Sequence, residues 1–172
     1  RPELCLVDAR GRLTVRKPGA EPEDPPIDLG LASRGLLLLP GDLDGDGKSD
    51  LVAIGKGSMR WITRLGAAAK AAAIEPFDDN AHSFHLADLD GDGKLDLLAV
   101  VPGTNMGLRL RSGDGTGGFG PWRIFAVDDL CDVFPARAAD GKQALATIAG
   151  NPRRVALQQL ANPQDMIEVP GV

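Results

Sequence analysis

A nine-residue acidic segment that occurs twice constrains the fold of this chain more than any other feature of its sequence. The copies are DLDGDGKSD at residues 42–50, here the first acidic loop, and DLDGDGKLD at residues 88–96, the second acidic loop. Aspartates at positions 1, 3, 5 and 9 project toward one point, and glycine at position 6 allows the sharp turn that oxygen ligation of a cation needs. Because such closely spaced carboxylates repel one another, each loop predicts a bound calcium ion.

Each predicted site combines four aspartate carboxylates with a main-chain carbonyl at position 7, and water completes the shell. The lysine side chains at position 7 are expected to point away from the ion. The predicted metal ligands are Asp42, Asp44, Asp46, Lys48 and Asp50 in the first loop and Asp88, Asp90, Asp92, Lys94 and Asp96 in the second. The sequence therefore predicts two calcium sites.

The residues after each acidic loop argue against a helix-loop-helix calcium site. An EF-hand closes its loop of about 12 residues with a bidentate glutamate, whereas Ala53 and Ala99 stand at that place here. The residues that follow the loops, 51–54 and 97–101, are continuously apolar and bounded by glycine or proline. Such runs are typical of buried strands. Each calcium loop is therefore predicted to lie between strands.

The spacing of the two acidic loops indicates a repeat. Their first residues, Asp42 and Asp88, are 46 positions apart. A degraded third copy keeps Asp-Gly-Lys at residues 140–142 but has alanines at ligand positions, so it is predicted to keep the turn without the metal. The segment around Leu4 matches the strands after each loop and lacks the loop itself. The chain is thus divided into four repeats, at residues 1–35 (partial), 36–83, 84–131 and 132–172.

Each repeat is predicted to contain an acidic loop, a buried strand, a tight turn, a second strand and a polar connection. Repeats of about 40 to 50 residues with several short strands are typical of β-propeller blades. The predicted fold class is therefore all-β, a partial β-propeller of about four blades. A two-sheet sandwich is the alternative, and the alanine-rich residues 66–74, which replace the usual glycine-rich hairpin, are a candidate short helix. Besides those after the loops, the predicted strands are 3–8, 12–16, 36–39, 59–64, 84–87, 107–111 and 154–158, with a weaker one near Val133.

The sequences around the two acidic loops resemble a known repeat family. GDLDGDGKSDLVAIG and ADLDGDGKLDLLAVVPG, with GDGTGGFGPW completing the second unit, are similar to FG-GAP/VCBS repeats, the blades of integrin-α-type β-propellers. The resemblance is strong over residues 36–125 and weak at the flanks. It implies that the Asp-rich loop of each blade binds calcium through the aspartates of residues 42–50 and 88–96.

The length of the chain limits how much of a propeller it holds. Closure around the central axis typically takes about 4 to 8 blades, and 172 residues supply fewer than four complete ones. Residues 1–172 are therefore predicted to be a single, incomplete β-propeller domain that belongs to a larger propeller. A closed four-bladed ring is the alternative.

Composition narrows the partners and the compartment. The net charge is −5 without a basic stripe, which argues against nucleic acid binding. The longest aliphatic run, residues 36–39, is far shorter than the ~20 residues of a membrane helix, so no membrane span is expected. Extracellular calcium modules have Kd values of about 10⁻⁴ to 10⁻³ M, which favours a secreted, periplasmic or cell-surface protein. Cys5 is expected to be a small buried strand residue.

The sequence contains no recognisable set of catalytic residues. The two histidines, His82 and His85, have an odd spacing that sends them to opposite faces of a strand, and no nucleophile elbow or phosphate-binding loop occurs. The expected function is a non-enzymatic, calcium-binding module with a binding or scaffolding role, whose partner is a protein, a glycan, or other blades or subunits of a larger assembly. The alternative is a non-catalytic propeller portion of a larger secreted enzyme, carbohydrate-active or redox.

Overall fold

In the computed structural model, the regular structure of the described residues consists of antiparallel β-strands. The structure describes residues 4–22, 24–66, 68–77, 80–101, 107–126, 130–137, 139, 141, 143–149 and 154–159. No helix occurs among these residues, which confirms the all-β prediction, and none could therefore cross a membrane. The strands are β1 (Leu4–Val7), β2 (Arg12–Arg16), β3 (Ile27–Asp28), β4 (Leu37–Gly41), β5 (Asp50–Gly55), β6 (Ser58–Thr63), β7 (Lys70–Ala71), β8 (Glu75–Pro76), β9 (Ser83–Ala87), β10 (Asp96–Val101), β11 (Gly107–Arg111), β12 (Arg123–Ala126), β13 (Leu130–Arg137), β14 (Gln143–Ala149) and β15 (Arg154–Gln159).

The chain forms two compact units, and the described residues of each contain two antiparallel sheets. Unit 1 comprises Arg1–Asp79 with Thr116–Gly118, and unit 2 comprises Asn80–Gly115 with Phe119–Val172. The sheets of unit 1 have the strand orders β1-β2-β3 and β4-β5-β6-β7, with β8 also pairing with β6. Those of unit 2 have the orders β9-β10-β11-β12 and β13-β14-β15. Each sheet is therefore a meander of neighbouring strands, while the extent of a single domain over residues 1–172 stays a prediction.

The strands that follow the acidic loops lie inside their sheets because their sequences are continuously apolar. All six residues of β10 are buried, and so are the first five of β5. Each has a neighbour on both sides: β5 pairs with β4 and β6, and β10 pairs with β9 and β11. A strand covered in this way tolerates an unbroken aliphatic run. The strands predicted at residues 51–54 and 97–101 are confirmed.

The other predicted strands are confirmed with small shifts at their ends. β2 and β11 begin and end at the predicted residues. The strand predicted at residues 36–39 begins one residue later and continues to Gly41. In the alanine-rich segment, the short strand β7 pairs with β6, with Lys70 opposite Thr63. The candidate short helix is therefore wrong for the described residues of this segment.

Each unit has its own hydrophobic core, which joins side chains from both of its sheets. Removing a leucine side chain from water contributes about 1.5–3 kcal/mol, so these clusters hold the two sheets of a unit together. The core of unit 1 contains Leu13, Leu29, Leu31, Leu51, Ala53 and Ile62. The core of unit 2 contains Leu89, Leu98, Val100, Leu108, Leu110, Phe125, Val133 and Leu145.

The prediction that Cys5 is buried is wrong. Cys5 is exposed on β1, between Leu4 at 40% and Leu6 at 45% exposure. By its spacing in the repeat β1 corresponds to β5, but within the described residues β1 pairs only with β2. An edge strand keeps one side open to solvent. The same kind of sequence is therefore buried in β5 and exposed in β1.

The turn of the degraded third repeat is present at Gly141. Its φ is 83°, close to the φ of 85° at Gly93, the matching residue of the second acidic loop. The neighbouring strands β13 and β14 pair with Ala136 opposite Ala144, a register that differs by one residue from that of the two acidic loops, where the residue before position 1 lies opposite position 9. Asp140 and Lys142 lie outside the described residues, so the loss of metal binding in this repeat stays a prediction.

Candidate metal centre

Each acidic loop connects two antiparallel strands. The first loop joins β4 to β5, where Gly41 lies opposite Asp50, and the second joins β9 to β10, where Ala87 lies opposite Asp96. Antiparallel pairing places the two ends of each connection side by side. The first and last aspartates of a loop are therefore close in space although they are distant in sequence.

Two glycines give both loops the same backbone conformation. Gly45 and Gly47 have φ values of 74° and 79°, and Gly91 and Gly93 have values of 81° and 85°. This left-handed region is unfavourable for residues with a Cβ atom and readily accessible to glycine. Glycine at positions 4 and 6 therefore turns the chain back so that the aspartates on either side point inward.

Three of the four aspartates in each loop converge. Carboxylate oxygens of Asp42, Asp44 and Asp50 lie within 4.8 Å of one another, and so do those of the second triad. The second triad consists of Asp88, Asp90 and Asp96. Calcium and magnesium prefer such an all-oxygen set, whereas softer metals favour nitrogen or sulfur. The donors that the structure brings together therefore fit a hard divalent cation.

The aspartate at position 9 is buried and fixed by backbone amides. Asp50 has 0% exposure; its Oδ2 accepts hydrogen bonds from the N–H groups of Leu43 (2.9 Å) and Asp44 (3.2 Å), and its Oδ1 from that of Arg64 (2.9 Å). Each carboxylate oxygen has more than one acceptor site, so these bonds orient Asp50 and leave room for a cation. The first residue of β5 is thus tied to the loop before it.

Asp96 repeats this arrangement in the second loop. It is 2% exposed, its Oδ2 accepts from the N–H of Leu89 at 2.9 Å, and its Oδ1 accepts from the N–H of Gly113 at 3.0 Å. Burial raises the pKa of Asp96 above its ordinary value, although both N–H groups act in the opposite direction. A nearby cation would favour the ionised form of such a buried carboxylate.

The aspartate at position 1 holds the glycine turn in place. Asp42 accepts the N–H of Gly45 on Oδ1 at 2.8 Å and that of Gly47 on Oδ2 at 2.9 Å. Asp88 accepts the corresponding glycine amides at 2.8 and 3.1 Å. Short acidic side chains stabilise turns through such local bonds. Position 1 therefore shapes the loop as well as supplying an oxygen to the triad.

The aspartates at position 5 pair with lysine instead of joining the triads. Asp46 accepts the backbone N–H of Lys48 at 2.9 Å and lies 3.3 Å from its Nζ, while Asp92 lies 2.9 Å from Nζ of Lys94. The N–H of Lys48 lowers the pKa of Asp46, and the side chain of Lys94 lowers the pKa of Asp92. The ligand roles of Asp46, Asp92 and the carbonyls of both lysines stay predictions.

Sequence reasoning missed the residue that follows β6. Arg64 donates its backbone N–H to Asp50, and its Nε lies 3.7 Å from Oδ2 of Asp44. Its matching residue in the second unit is Gly113, which donates its N–H to Asp96. No common spacing marks the two residues in the sequence, because Arg64 directly follows β6 whereas Gly113 lies two positions after the end of β11.

A second contact to the first loop, also missed, comes from a distant segment of unit 1. The N–H of Gly117 donates to the carbonyl oxygen of Leu43 at 3.1 Å. Gly117 has a φ of 95°, and a Cβ there would meet the side chains of Thr63 and Asp44. Glycine therefore lets the short segment Thr116–Gly118 lie directly against the first acidic loop.

The hairpin after β11 is held by a buried arginine. Arg111 is 7% exposed, and its guanidinium donates to the carbonyl oxygens of Gly120 and Phe119. It also lies over the rings of Phe119 at 5.9 Å and Trp122 at 5.4 Å, distances at which cation–π attraction operates. These contacts fix the hairpin that carries Gly113 beside the second acidic loop.

Neither histidine belongs to a carboxylate triad in the described part of the chain. The Nε2 atom of His85 lies 3.1 Å from Oγ of Ser83, and its ring packs edge-on against Phe134 with centroids 5.5 Å apart. Burial lowers the pKa of His85 below its ordinary value. His85 therefore packs within unit 2, as the sequence indicates for a residue outside a metal site.

Family comparison agrees with this geometry. Residues 42–99 match the FG-GAP-like repeat, a segment that begins at the first aspartate of the first acidic loop and includes the whole second loop. These residues carry an FG-GAP-like repeat. The resemblance inferred from the sequence is thereby confirmed. No curated protein is significantly similar to this chain.

A solved structure shares the fold of this chain. It is a lectin from Agrocybe aegerita, described as recognising non-reducing terminal N-acetylglucosamine. The TM-score is 0.60 at 17% sequence identity, over 91% of this chain and 46% of the lectin chain. At this level of identity the likeness concerns the fold alone. The chain spans less than half the length of that lectin.

Proposed function

We propose that each acidic loop of this chain binds one calcium ion. The observation that carries the proposal is the pair of matched carboxylate triads, which are held by the same pattern of backbone amides in two separate repeats. The residues that would hold the ions are Asp42, Asp44 and Asp50, with Asp46 and the carbonyl of Lys48, and Asp88, Asp90 and Asp96, with Asp92 and the carbonyl of Lys94.

The proposed role of calcium is structural. Bound calcium supplies positive charge among carboxylates that otherwise repel one another. The protein supplies the positioning, because Asp50 and Asp96 are the first residues of β5 and β10 and are already fixed by amides from neighbouring segments. An ion in each loop would therefore tie the start of a buried strand to the turn before it and to the residue after the next strand.

We further propose that the sheets are about four blades of one incomplete β-propeller domain. Each described sheet is an antiparallel meander, and the sheets follow the sequence repeat one by one. The fold likeness to a lectin chain of about twice the matched length supports an assembly with further blades. A sandwich would not require whole units to recur at a regular spacing.

A binding or scaffolding role follows best from these features. Because the proposed role of the acidic loops is structural, we propose that the chain is not an enzyme. We also propose that it acts in a secreted, periplasmic or cell-surface protein, where calcium is abundant. Its partner would be a protein, a glycan or other blades of a larger assembly. The lectin-like fold favours the glycan among these.

Calorimetric titration and thermal unfolding test the calcium proposal. We expect two ions per chain, and calcium at about ten times Kd should stabilise the fold by about 1.4 kcal/mol per site. Asp44→Ala and Asp90→Ala should each remove one ion. Asp140→Ala is the control and should remove none. An absence of binding heat, together with equal melting temperatures in calcium and in chelator, would overturn the proposal.

A glycan array tests the choice of partner. We expect the chain to bind glycans through an unsubstituted sugar at the non-reducing end. The binding signals on the array should decrease in chelator, because calcium in the loops stabilises the fold. The double variant Asp44→Ala with Asp90→Ala should behave in calcium as the unchanged chain does in chelator. Uniformly negative arrays would favour a protein partner over a glycan.

A further inference from the structure

Arg64 brings a positive charge to the first acidic loop. Its Nε lies 3.7 Å from Oδ2 of Asp44, one of the three converging aspartates. The side chain of Asp44 is 11% exposed and that of Arg64 is 54% exposed, so the pair lies at the rim of the loop. A guanidinium remains charged at any physiological pH. The first loop therefore has a permanent cation beside it that belongs to the protein.

The second acidic loop has no side chain at the corresponding place. The backbone N–H of Arg64 donates to Oδ1 of Asp50 at 2.9 Å, and that of Gly113 donates to Oδ1 of Asp96 at 3.0 Å. The two residues thus fulfil the same backbone role for the buried aspartate at position 9. They differ in that one carries a charged side chain and the other carries none.

The backbone conformation and the surroundings at these two positions determine how well a side chain fits at each. A Cβ at Gly113 would collide with the main-chain oxygen of Leu95, so no side chain fits there. Arg64 has a φ of 55° and is the one non-glycine residue with positive φ in the described ranges. Residues with a Cβ are disfavoured in that region. Asparagine, aspartate or glycine would suit it better, yet the sequence has an arginine that reaches Asp44.

We propose that Arg64 competes with calcium for Asp44 and so lowers the calcium affinity of the first acidic loop. The inference rests on the proposed calcium function and adds a regulatory residue to it. When calcium binds, the guanidinium must either leave Asp44 or remain as a positive charge next to a divalent cation. Both alternatives oppose binding, and Gly113 has no side chain that could act in this way on the second loop.

Coulomb's law sets the size of the effect. At a separation of roughly 5 Å in a water-like medium, a single positive charge opposes a divalent ion strongly enough to change affinity about ten-fold. Screening at physiological salt, with a Debye length of about 8 Å, reduces this to about three- to ten-fold for a half-exposed side chain. High salt should nearly abolish the difference, because the Debye length falls to about 3 Å at 1 M.

Calorimetry on chains with one loop disabled tests the proposal. Asp90→Ala isolates the first loop, and in that background Arg64→Gln should bind calcium about three- to ten-fold more tightly than the chain with arginine. Arg64→Lys keeps the charge and should change the affinity little. The matched control is Asp44→Ala, which isolates the second loop; there Arg64→Gln should have no effect. A two-site titration of Arg64→Gln in the otherwise unchanged chain gives the same answer without the disabling variants.

The outcomes separate this inference from the function on which it rests. If both loops bind calcium and Arg64→Gln leaves or weakens the affinity of the first, Arg64 is not a competitor, while the calcium function stands. A gain in affinity that persists undiminished in 1 M salt would also overturn the electrostatic account. If neither loop binds calcium, both proposals fail together.

Discussion

The first and second acidic loops are nearly identical in their own conformation, but different residues contact them. Within each loop, two left-handed glycines, an aspartate that caps them and a buried aspartate at position 9 recur with closely similar geometry. Outside, the first loop is contacted by Arg64 and by the segment Thr116–Gly118, whereas the second lies against Gly113 of an arginine-braced hairpin. The repeat fixes where the carboxylates go, and the surroundings set their charge and exposure.

We infer that two loops with the same arrangement of carboxylates can differ in calcium affinity. The residues that converge are the same in both loops, so a change in the loops themselves would alter the fold as well as the binding. A change outside, such as arginine at one position and glycine at its equivalent, modifies the local field while the loop conformation stays intact. Differences in calcium affinity are therefore expected to arise from the neighbours.

The largest expected effect is loss of the buried aspartate at position 9. Asp50→Ala leaves three N–H groups without their acceptor, those of Leu43, Asp44 and Arg64, and Asp96→Ala leaves two. Hydrogen bonds to charged groups contribute about 1.5–3 kcal/mol each, and they are not additive. We expect losses of about 3–5 kcal/mol for Asp50→Ala and about 2–4 kcal/mol for Asp96→Ala, measured by urea unfolding in chelator.

Working in chelator removes any contribution from bound calcium, so the difference reports the protein alone. Asp46→Ala is the control, since its carboxylate is exposed and bonds only within the loop. Its effect on unfolding should be much smaller than that of either position-9 variant. Comparable losses of stability in Asp50→Ala, Asp96→Ala and Asp46→Ala would show that burial does not make Asp50 and Asp96 more important for stability than Asp46.

The next largest effects are expected from substitutions at Arg64 and Gly113, the two residues outside the loops that donate to the buried aspartates. Gly113→Ala forces a methyl group against the main-chain oxygen of Leu95 and should destabilise the chain by about 1–3 kcal/mol. Arg64→Gly relieves a left-handed residue and should be neutral or stabilise by up to about 1 kcal/mol. Chemical unfolding in chelator measures both. Opposite signs are the expected result, and a destabilising Arg64→Gly would show that its side chain supports the loop.

The sequence predicted the acidic loops well because their chemistry is local. Glycines at fixed positions and an alternating series of aspartates determine the loop whatever surrounds it, and the continuous runs in β5 and β10 identify central strands without further information. For the alanine-rich segment the sequence does not predict the short strands, because the high helix propensity of alanine favours a helix there. Pairing of Lys70 with Thr63 of β6 decides that case.

What sequence reasoning could not supply depends on contacts between distant residues. The exposure of Cys5 follows from β1 being an edge strand, which no property of its own residues encodes. The position of Arg64 over Asp44 requires knowing where β6 ends relative to the first loop. The sequence predicts that the side chains of Lys48 and Lys94 point away from the ion, but it does not predict that they pair with Asp46 and Asp92.

The smallest expected effect is a difference between the two units in how much stability they lose at acidic pH. Both histidines belong to unit 2, and burial holds the pKa of His85 below 6.5, against an opposing contribution from Asp132. Because the unfolded chain takes up a proton at higher pH than folded His85 does, stability present above about pH 6.5 should be lost as the pH falls through the lowered value. Hydrogen exchange in chelator at about pH 7.5 and 5.5, corrected for intrinsic rates, should show β10 losing more protection than β5. In His85→Gln the two strands should respond alike, and an equal loss in the unchanged chain would remove this difference between the units.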